Sequence, residues 1–464
     1  MAFLWLATFG CSKQTPGLCC TDEADCAAAG LSGISSCDDG LACRGNQCIA
    51  EVCGRSSDCD AAAPYCMDQG ANSGLCAGSC SDDAQCPGAA QTADDQFCVS
   101  GACAECRRND DCSVEMPVCA AHSCRACVEH AECASHVCTS TGACATEDQI
   151  VHVAPSGADA GDCGQLAPCS LAYAIGHQTG RRYLLLSTGT YVNSATMTVP
   201  GKQVLIGDGA PRPTITNSGA GPIFSIGPSA DVELDGIEVS GARGGAGAGI
   251  ECDNAMTAGE RTLRLIDDLI TQNMVDGLHA NRCVVTAIGT TFSLNGSDGI
   301  VLTDSRGTFD RCTFNGNTSY GIYGDGTLYD ATNSFVYRNG TGVGVFSFPD
   351  EPGSLFAFNT VVDNGIGVDC QANAASPLTL SNNIIVRNSK NTDGQQTCSH
   401  PGSILAADVA PLHFVQPDVA PYDYHLTTGS SAIDQATAST IDHDFDGDGR
   451  PRGNGRDIGA DEAQ

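Results

Sequence analysis

The sequence predicts an all-β chain wound as a right-handed parallel β-helix, closed at its N-terminal end by a short helix and preceded by a disulfide-rich repeat region of little regular structure. Two observations carry this. An asparagine recurs every 22 residues, at Asn273, Asn295, Asn317 and Asn339. Cysteine use breaks sharply near residues 145–150, with 23 of the 30 cysteines lying between Cys11 and Cys144. In a solenoid the sequence period is the length of one coil, and each residue stacks on its copy about 4.8 Å along the axis.

Segment 1–11 is apolar from Met1 to Gly10 and ends in Phe9-Gly10-Cys11. It resembles the end of a bacterial lipoprotein signal, with Thr8 where such signals usually carry leucine. That resemblance implies export, a lipid on Cys11, and membrane contact through this anchor alone. No run of about 18 apolar residues offers a transmembrane helix. The net charge of -33, with lysine only at Lys13, Lys202 and Lys390, argues against nucleic acid or anionic lipid surfaces, which attract basic patches.

Residues 12–148 hold two aromatics, Tyr65 and Phe97, too few for a packed core. Disulfides must supply the stability there, which implies an oxidising compartment. Five units open with C-x5-C at Cys20, Cys53, Cys80, Cys106 and Cys127. The last four each add two cysteines: Cys66/Cys76, Cys98/Cys103, Cys119/Cys124 and Cys138/Cys144. The first adds Cys43/Cys48 and an extra pair, Cys19/Cys37, so 22 cysteines form eleven pairs and Cys11 is left over. Zinc is the rival reading, but C-x2-C occurs only at Cys103/Cys106 and Cys124/Cys127, both at unit junctions. Four cysteines allow three pairings, and spacing does not choose among them. The units resemble short four-cysteine repeats of secreted bacterial proteins, which implies a stapled stalk; an array of ligand-binding modules is the alternative.

In residues 149–182, Val151-His152-Val153 leads to Cys163-x5-Cys169 and then to Ser170, the N-cap of a short helix with Leu171, Ala174 and Ile175 on one face. An open solenoid end exposes unpaired backbone groups, so this strand and helix form the cap. Residues 183–400 are the β-helix. Short β-rich runs at Tyr183–Leu186, Met197–Val199, Val204–Ile206, Ile223–Ile226 and Val232–Leu234 precede regular coils from about Leu263. The asparagine phase continues at Asn364 and Asn388, and three residues before each anchor stands Ile270, Phe292, Phe314, Val336, Val361 or Ile385. The apolar column is core. The asparagine column is an amide ladder satisfying backbone at a bend, so the sequons at Asn295, Asn317 and Asn339 are poor glycosylation acceptors. Cys163/Cys169, Cys252/Cys283 and Cys370/Cys398 are the disulfide candidates, and Cys312, one coil from Thr290 and Ser334, reads as a small buried thiol.

Residues 401–464 lose the period. They run through Tyr424-His-Leu-Thr-Thr-Gly, Asp442-His-Asp-Phe-Asp-Gly-Asp-Gly-Arg450 and Asp457-Ile-Gly-Ala-Asp461-Glu462. This segment resembles the C-terminal closing segment of bacterial surface proteins of the choice-of-anchor Q family, within the pectate-lyase-like β-helix superfamily. With the Val151 entry phrase the likeness spans residues 151–462. It implies fold and a secreted or outer-surface location, and supplies no activity.

Two constellations could carry chemistry. Asp442, Asp444 and Asp446 with Gly447 give D-x-D-x-D-G, a spacing that gathers carboxylates round Ca2+. Gly453 stands where a bidentate glutamate belongs, so Asp457, Asp461 or Glu462 would complete the shell; the alternative is an acidic turn held by Arg450 and Arg452. Asp276 and Asp298 share a coil phase, which sets their carboxylates about 5 Å apart beside His279, Tyr323 and Asp325, a separation suited to retaining glycoside hydrolysis or calcium. The alternative is an Asp-Gly turn repeated because coils repeat. A lyase needs a lysine or arginine base. Lys202 and Lys390 are expected outside the regular coils, leaving Arg282 and Arg306. The resulting expectation is a structural or carbohydrate-binding, adhesin-like module facing an extracellular polysaccharide or cell-surface glycan. The alternative is a polysaccharide lyase or glycoside hydrolase using Asp276, His279, Arg282 and Asp298.

Overall fold

The computed structural model describes residues 97–463 except 178–179, 245–246, 254–259, 348–353, 371–378 and 395–397, and, before them, residues 41–44, 47–50, 65–67, 75–77, 80, 83 and 86. Segment 1–11 with Cys11, the pair Cys19/Cys37 and the opening cysteines of the first two units lie outside the described residues. The chain divides into two compact units, Met1–Ala145 and Thr146–Gln464.

In the first unit the disulfide pattern is uniform where it is described. The first cysteine of a repeat bonds the third and the second bonds the fourth: Cys80–Cys98 with Cys86–Cys103, Cys106–Cys119 with Cys112–Cys124, and Cys127–Cys138 with Cys133–Cys144. Each bridge closes a loop of 11 to 18 residues, short enough to remove much of the freedom of an unfolded chain that has little core to collapse. Spacing left three pairings open; short antiparallel hairpins select this one. Phe97–Val99 pairs with Ala102–Ala104 and Val118–Ala120 with Ser123–Arg125, setting the third and fourth cysteines opposite each other and freeing them to bond outward. Cys43 faces Cys48, and Cys66 faces Cys76, in the same way.

The second unit is a parallel β-helix. Its coils contribute in turn to three parallel sheets of 10, 10 and 9 strands, and neighbouring strands stack in register one coil apart. Strand Ile150–Ala158 starts the first sheet beside Tyr183–Ser187. Helix Leu171–Gly176 covers that end, with the Ser170 Oγ accepting from the Tyr173 amide at 3.3 Å and Leu171, Ala174 and Ile175 buried. Disulfides join Cys163–Cys169 in the cap, Cys252–Cys283 and Cys370–Cys398.

The interior is made of apolar columns. In the second sheet Ile270, Phe292, Phe314, Val336, Val361 and Ile385 stack in register, all 0% exposed, and the Phe292 and Phe314 rings lie parallel with centroids 5.2 Å apart. The chain turns out of this sheet through a residue in the left-handed region: Gln272, Leu294, Gly316, Arg338, Asp363 and Arg387, at φ between 52° and 64°. That conformation costs a non-glycine residue about 1–2 kcal/mol. The asparagine that follows each one offsets the cost. Asn317 Oδ1 accepts the Asn295 amide at 3.1 Å and the Asn295 Nδ2 at 3.0 Å, and its own Nδ2 donates to Phe292 O and Asn339 Oδ1. The pattern repeats from Asn273 to Asn388. The ladder also fixes the glycine four residues later. A Cβ on Gly277, Gly299 or Gly321 would sit 2.5–2.7 Å from the next coil's carbonyl and about as close to a ladder Nδ2.

Lys202 opens strand Lys202–Asp208, before the regular coils, and Lys390 opens strand Lys390–Asp393, after the last asparagine anchor. The second sheet continues past residue 400 to Ile404–Ala406. The closing segment also runs back along the outer face of the second sheet, where Leu412, Phe414, Tyr424, Leu426 and Ile458 form a second core with Phe335, Val362, Ile384 and Val386.

Candidate functional site

The carboxylates of the third-sheet side are already engaged by backbone. Asp276, 6% exposed, uses Oδ1 to accept the Asp298 amide at 3.2 Å; Asp298 uses Oδ1 to accept the Tyr320 amide at 2.7 Å and Oδ2 to accept from Ser297 Oγ. They recur because each caps the amide one coil on. Burial raises the Asp298 pKa. His279 hydrogen-bonds Asp276 Oδ2 through Nδ1 at 3.2 Å, and that bond raises its pKa, with Glu251 and Asp253 adding to the effect. The other expected partners are elsewhere. Arg282 sits at a bend with its guanidinium 3.6 Å from Asp304, and both side chains are more than half exposed. Arg306 opens a strand of the first sheet. Tyr323 is in the His279 row but two coils on, about 10 Å away, and Asp325 lies in the Asn281 row. The structure thus gathers Asp276, His279 and Asp298, and separates Arg282 from them.

The D-x-D-x-D-G carboxylates do not converge either. Asp444 is fully buried and accepts two amides, Asp448 N and Glu462 N. Asp442 points outward, 84% exposed, and bonds His443. Asp446 turns towards His425. The turn is held instead by Arg450, whose wholly buried guanidinium meets Glu462 at 2.8 Å and four carbonyls, and by Arg452 against Asp448. Asp444 spends both oxygens on amides, so the three carboxylates do not meet at one point in this structure.

One concavity was not foreseen. Where the closing segment crosses the second sheet it leaves a cavity of about 400 Å³. Thr313, Phe335 and Tyr337 form its floor, and Gln416, Tyr422, Asp423, Tyr424, His425 and Phe445 its walls. The rings support one another: Tyr337 and Tyr424 centroids are 5.0 Å apart, Phe335 and Phe445 4.6 Å, and Tyr422 lies nearly parallel to Tyr424. The Arg338 guanidinium stacks on Tyr422, 4.2 Å from its centroid. Tyr424 is fixed by its hydroxyl, which donates to Asp363 at 2.6 Å. Val415, 52% exposed, marks the mouth. No sequence motif announces this site, because its floor and walls are some 80 residues or more apart in the chain.

Comparison with the family profiles agrees on architecture. The family profile of right-handed β-helix regions matches residues 276–400. Among solved structures, the pectate lyase Pel9A aligns at 17% identity over 68% of this chain and 96% of its own, with a TM-score of 0.47. The Azotobacter vinelandii mannuronan C-5 epimerase AlgE4 A-module aligns at 14% over 55% and 80%, with a TM-score of 0.35. A rhamnogalacturonan lyase aligns at 12% over 56% and 85%, with a TM-score of 0.32. No curated protein matches the sequence. The chain is a right-handed parallel β-helix joined to a cysteine-rich repeat unit.

Proposed function

We propose that this is a secreted or surface-displayed carbohydrate-binding protein that takes a glycan into the aromatic cavity under its closing segment and does not cleave it. The cavity carries the reading. Pyranose rings present a flat face of C–H groups that stacks on aromatic faces, while side-chain oxygens and nitrogens at the rim orient the hydroxyls, and a pocket of about 400 Å³ falls in the range of small-ligand sites. Tyr337 and Tyr422 supply the faces, and Asp423, Gln416 and Thr313 the polar contacts. A net charge of -33 and Asp423 in the wall repel uronate-rich chains and favour a neutral polysaccharide. The disulfide-stapled repeats suit an oxidising extracellular setting and act as a stalk. Lipid attachment at Cys11 and the likeness to choice-of-anchor Q proteins supply the surface location in this reading.

A polysaccharide hydrolase or lyase is the second reading, favoured by the His279–Asp276 pair. Its carboxylates are committed to the coil backbone and its arginine to Asp304, which is why binding is preferred. The test is incubation of the purified protein with neutral and acidic polysaccharides, following binding, reducing ends and unsaturated product together. Binding of a neutral glycan without turnover supports the proposal. Turnover, or binding confined to uronate-rich chains, overturns it.

A further inference from the structure

The cavity wall holds a group that glycan binding does not use. His425 Nδ1 meets Asp423 Oδ1 at 2.6 Å. A carboxylate there fixes the tautomer with the proton on Nδ1, leaving a lone pair on Nε2. Nε2 is shut off from solvent and has no hydrogen-bond partner among the described residues. It faces acceptors: Asp446 Oδ2 lies 3.4 Å away without forming a hydrogen bond, and one ligand atom each of His425, Asp446 and Asp461 lie within 4.8 Å of one another. Asp461 is 5% exposed, and one of its oxygens accepts the Leu426 amide at 2.6 Å. A lone pair aimed at two carboxylates calls for a positive centre between them.

We propose that His425, Asp446 and Asp461 bind a divalent transition metal of the zinc type. Bonds of about 2.0–2.1 Å in a tetrahedral shell put two donors about 3.3 Å apart, close to the 3.4 Å between His425 Nε2 and Asp446 Oδ2. An imidazole beside two carboxylates selects zinc-like ions over calcium, which takes six to eight oxygen donors. Asp423 is the outer partner that orients a ligating histidine. Three protein ligands leave a fourth position open, and Asp446, 46% exposed, gives the ion a way in. The inference is independent of the glycan reading, since its test uses metal alone.

The rival is an imidazolium ion pair with Asp446, which needs no metal. The two separate in a titration of the full-length, chelator-treated and thiol-alkylated protein with Zn2+, and separately with Ca2+, by calorimetry. One zinc per chain is expected, with calcium weaker by about 100-fold or more. Asp446→Asn, at a half-exposed position and with its fold checked by circular dichroism, should weaken zinc by about 100-fold, and Asp423→Asn by about 10- to 100-fold. No zinc binding, equal calcium affinity, or zinc binding unchanged in Asp446→Asn overturns the assignment. His425→Gln serves as the second ligand variant, and retention of the site there overturns it as well.

Discussion

Replacing Asn317 by alanine tests the physical basis of the coil. Its side chain is 1% exposed and makes four hydrogen bonds across three coils. Truncation leaves the buried Asn295 amide without its acceptor, which costs about 1–3 kcal/mol, and removes three further bonds worth roughly 0.5–1.5 kcal/mol each. Allowing for relaxation, the loss is about 3–5 kcal/mol, a large share of the roughly 5–15 kcal/mol of a typical domain. Asn388 occupies the last rung, where water reaches the half-buried site and can replace part of what is lost. Asn388→Ala should therefore cost about 1–2 kcal/mol. The assay is urea denaturation of the full-length, disulfide-intact protein, followed by far-ultraviolet circular dichroism through the β-helix transition. A loss below about 1 kcal/mol for Asn317→Ala, or equal losses at the two rungs, would refute the ladder as the device that holds the left-handed bends.

Further expectations follow from other contacts. Arg450→Met leaves Glu462, 1% exposed, as an unpaired buried charge and should cost about 3–5 kcal/mol in the same denaturation assay; a loss under about 1 kcal/mol would contradict the burial argument. Cys312, whose thiol burial pushes up to about 12, occupies a hydroxyl-type rung with its amide donating to Ser334 Oγ at 3.0 Å, so Cys312→Ser should change stability by less than about 1 kcal/mol and the protein should resist thiol reagents while folded. His443 latches the closing segment to the coils through Asp310 at 2.9 Å, with Arg311 beside Asp310, and its other ring nitrogen meets its own neighbour Asp442 at 3.0 Å. Burial alone would lower its pKa, but the two carboxylate bonds raise it. Its contribution is thus complete below the unfolded value of about 6.5 and lost as pH rises through the raised folded value. Hydrogen-exchange protection of residues 442–450, corrected for base-catalysed intrinsic exchange, should fall across that window in the wild type and stay flat in His443→Gln.

The legibility of the sequence divides by how each feature is encoded. The asparagine ladder shows because one residue type fills every rung from Asn273 to Asn388 and the coil length is constant over the first four. A second ladder does the same work at the bend out of the first sheet, with rungs Asp268, Thr290, Cys312, Ser334, Asn359 and Asn383. It was missed because every small polar side chain that reaches the next amide suffices, so identity drifts. Its spacing was the available signal, since each rung stands five residues before an asparagine anchor. That placement explains Cys312 as a rung. The aspartates are ambiguous for a related reason: Asp276 and Asp298 repeat because both cap amides, and repetition alone resembles a paired-carboxylate site. Asp442, Asp444 and Asp446 match a cation-binding spacing, yet Asp444 is turned inward to serve two amides. The cavity and the His425 cluster have no local signature, since both depend on the closing segment folding back along the second sheet.

The most direct test of binding without cleavage is a neutral-polysaccharide binding isotherm measured for the wild type, Tyr422→Ala and Asp276→Asn, with product formation followed in the same tubes. Tyr422→Ala is expected to lose about 1–2 kcal/mol, or roughly 5- to 30-fold in affinity, from one stacked ring, while Asp276→Asn binds like the wild type and none of the three releases product. Product formation by the wild type that disappears in Asp276→Asn, with Tyr422→Ala binding unchanged, would contradict the account and move the function to the third sheet.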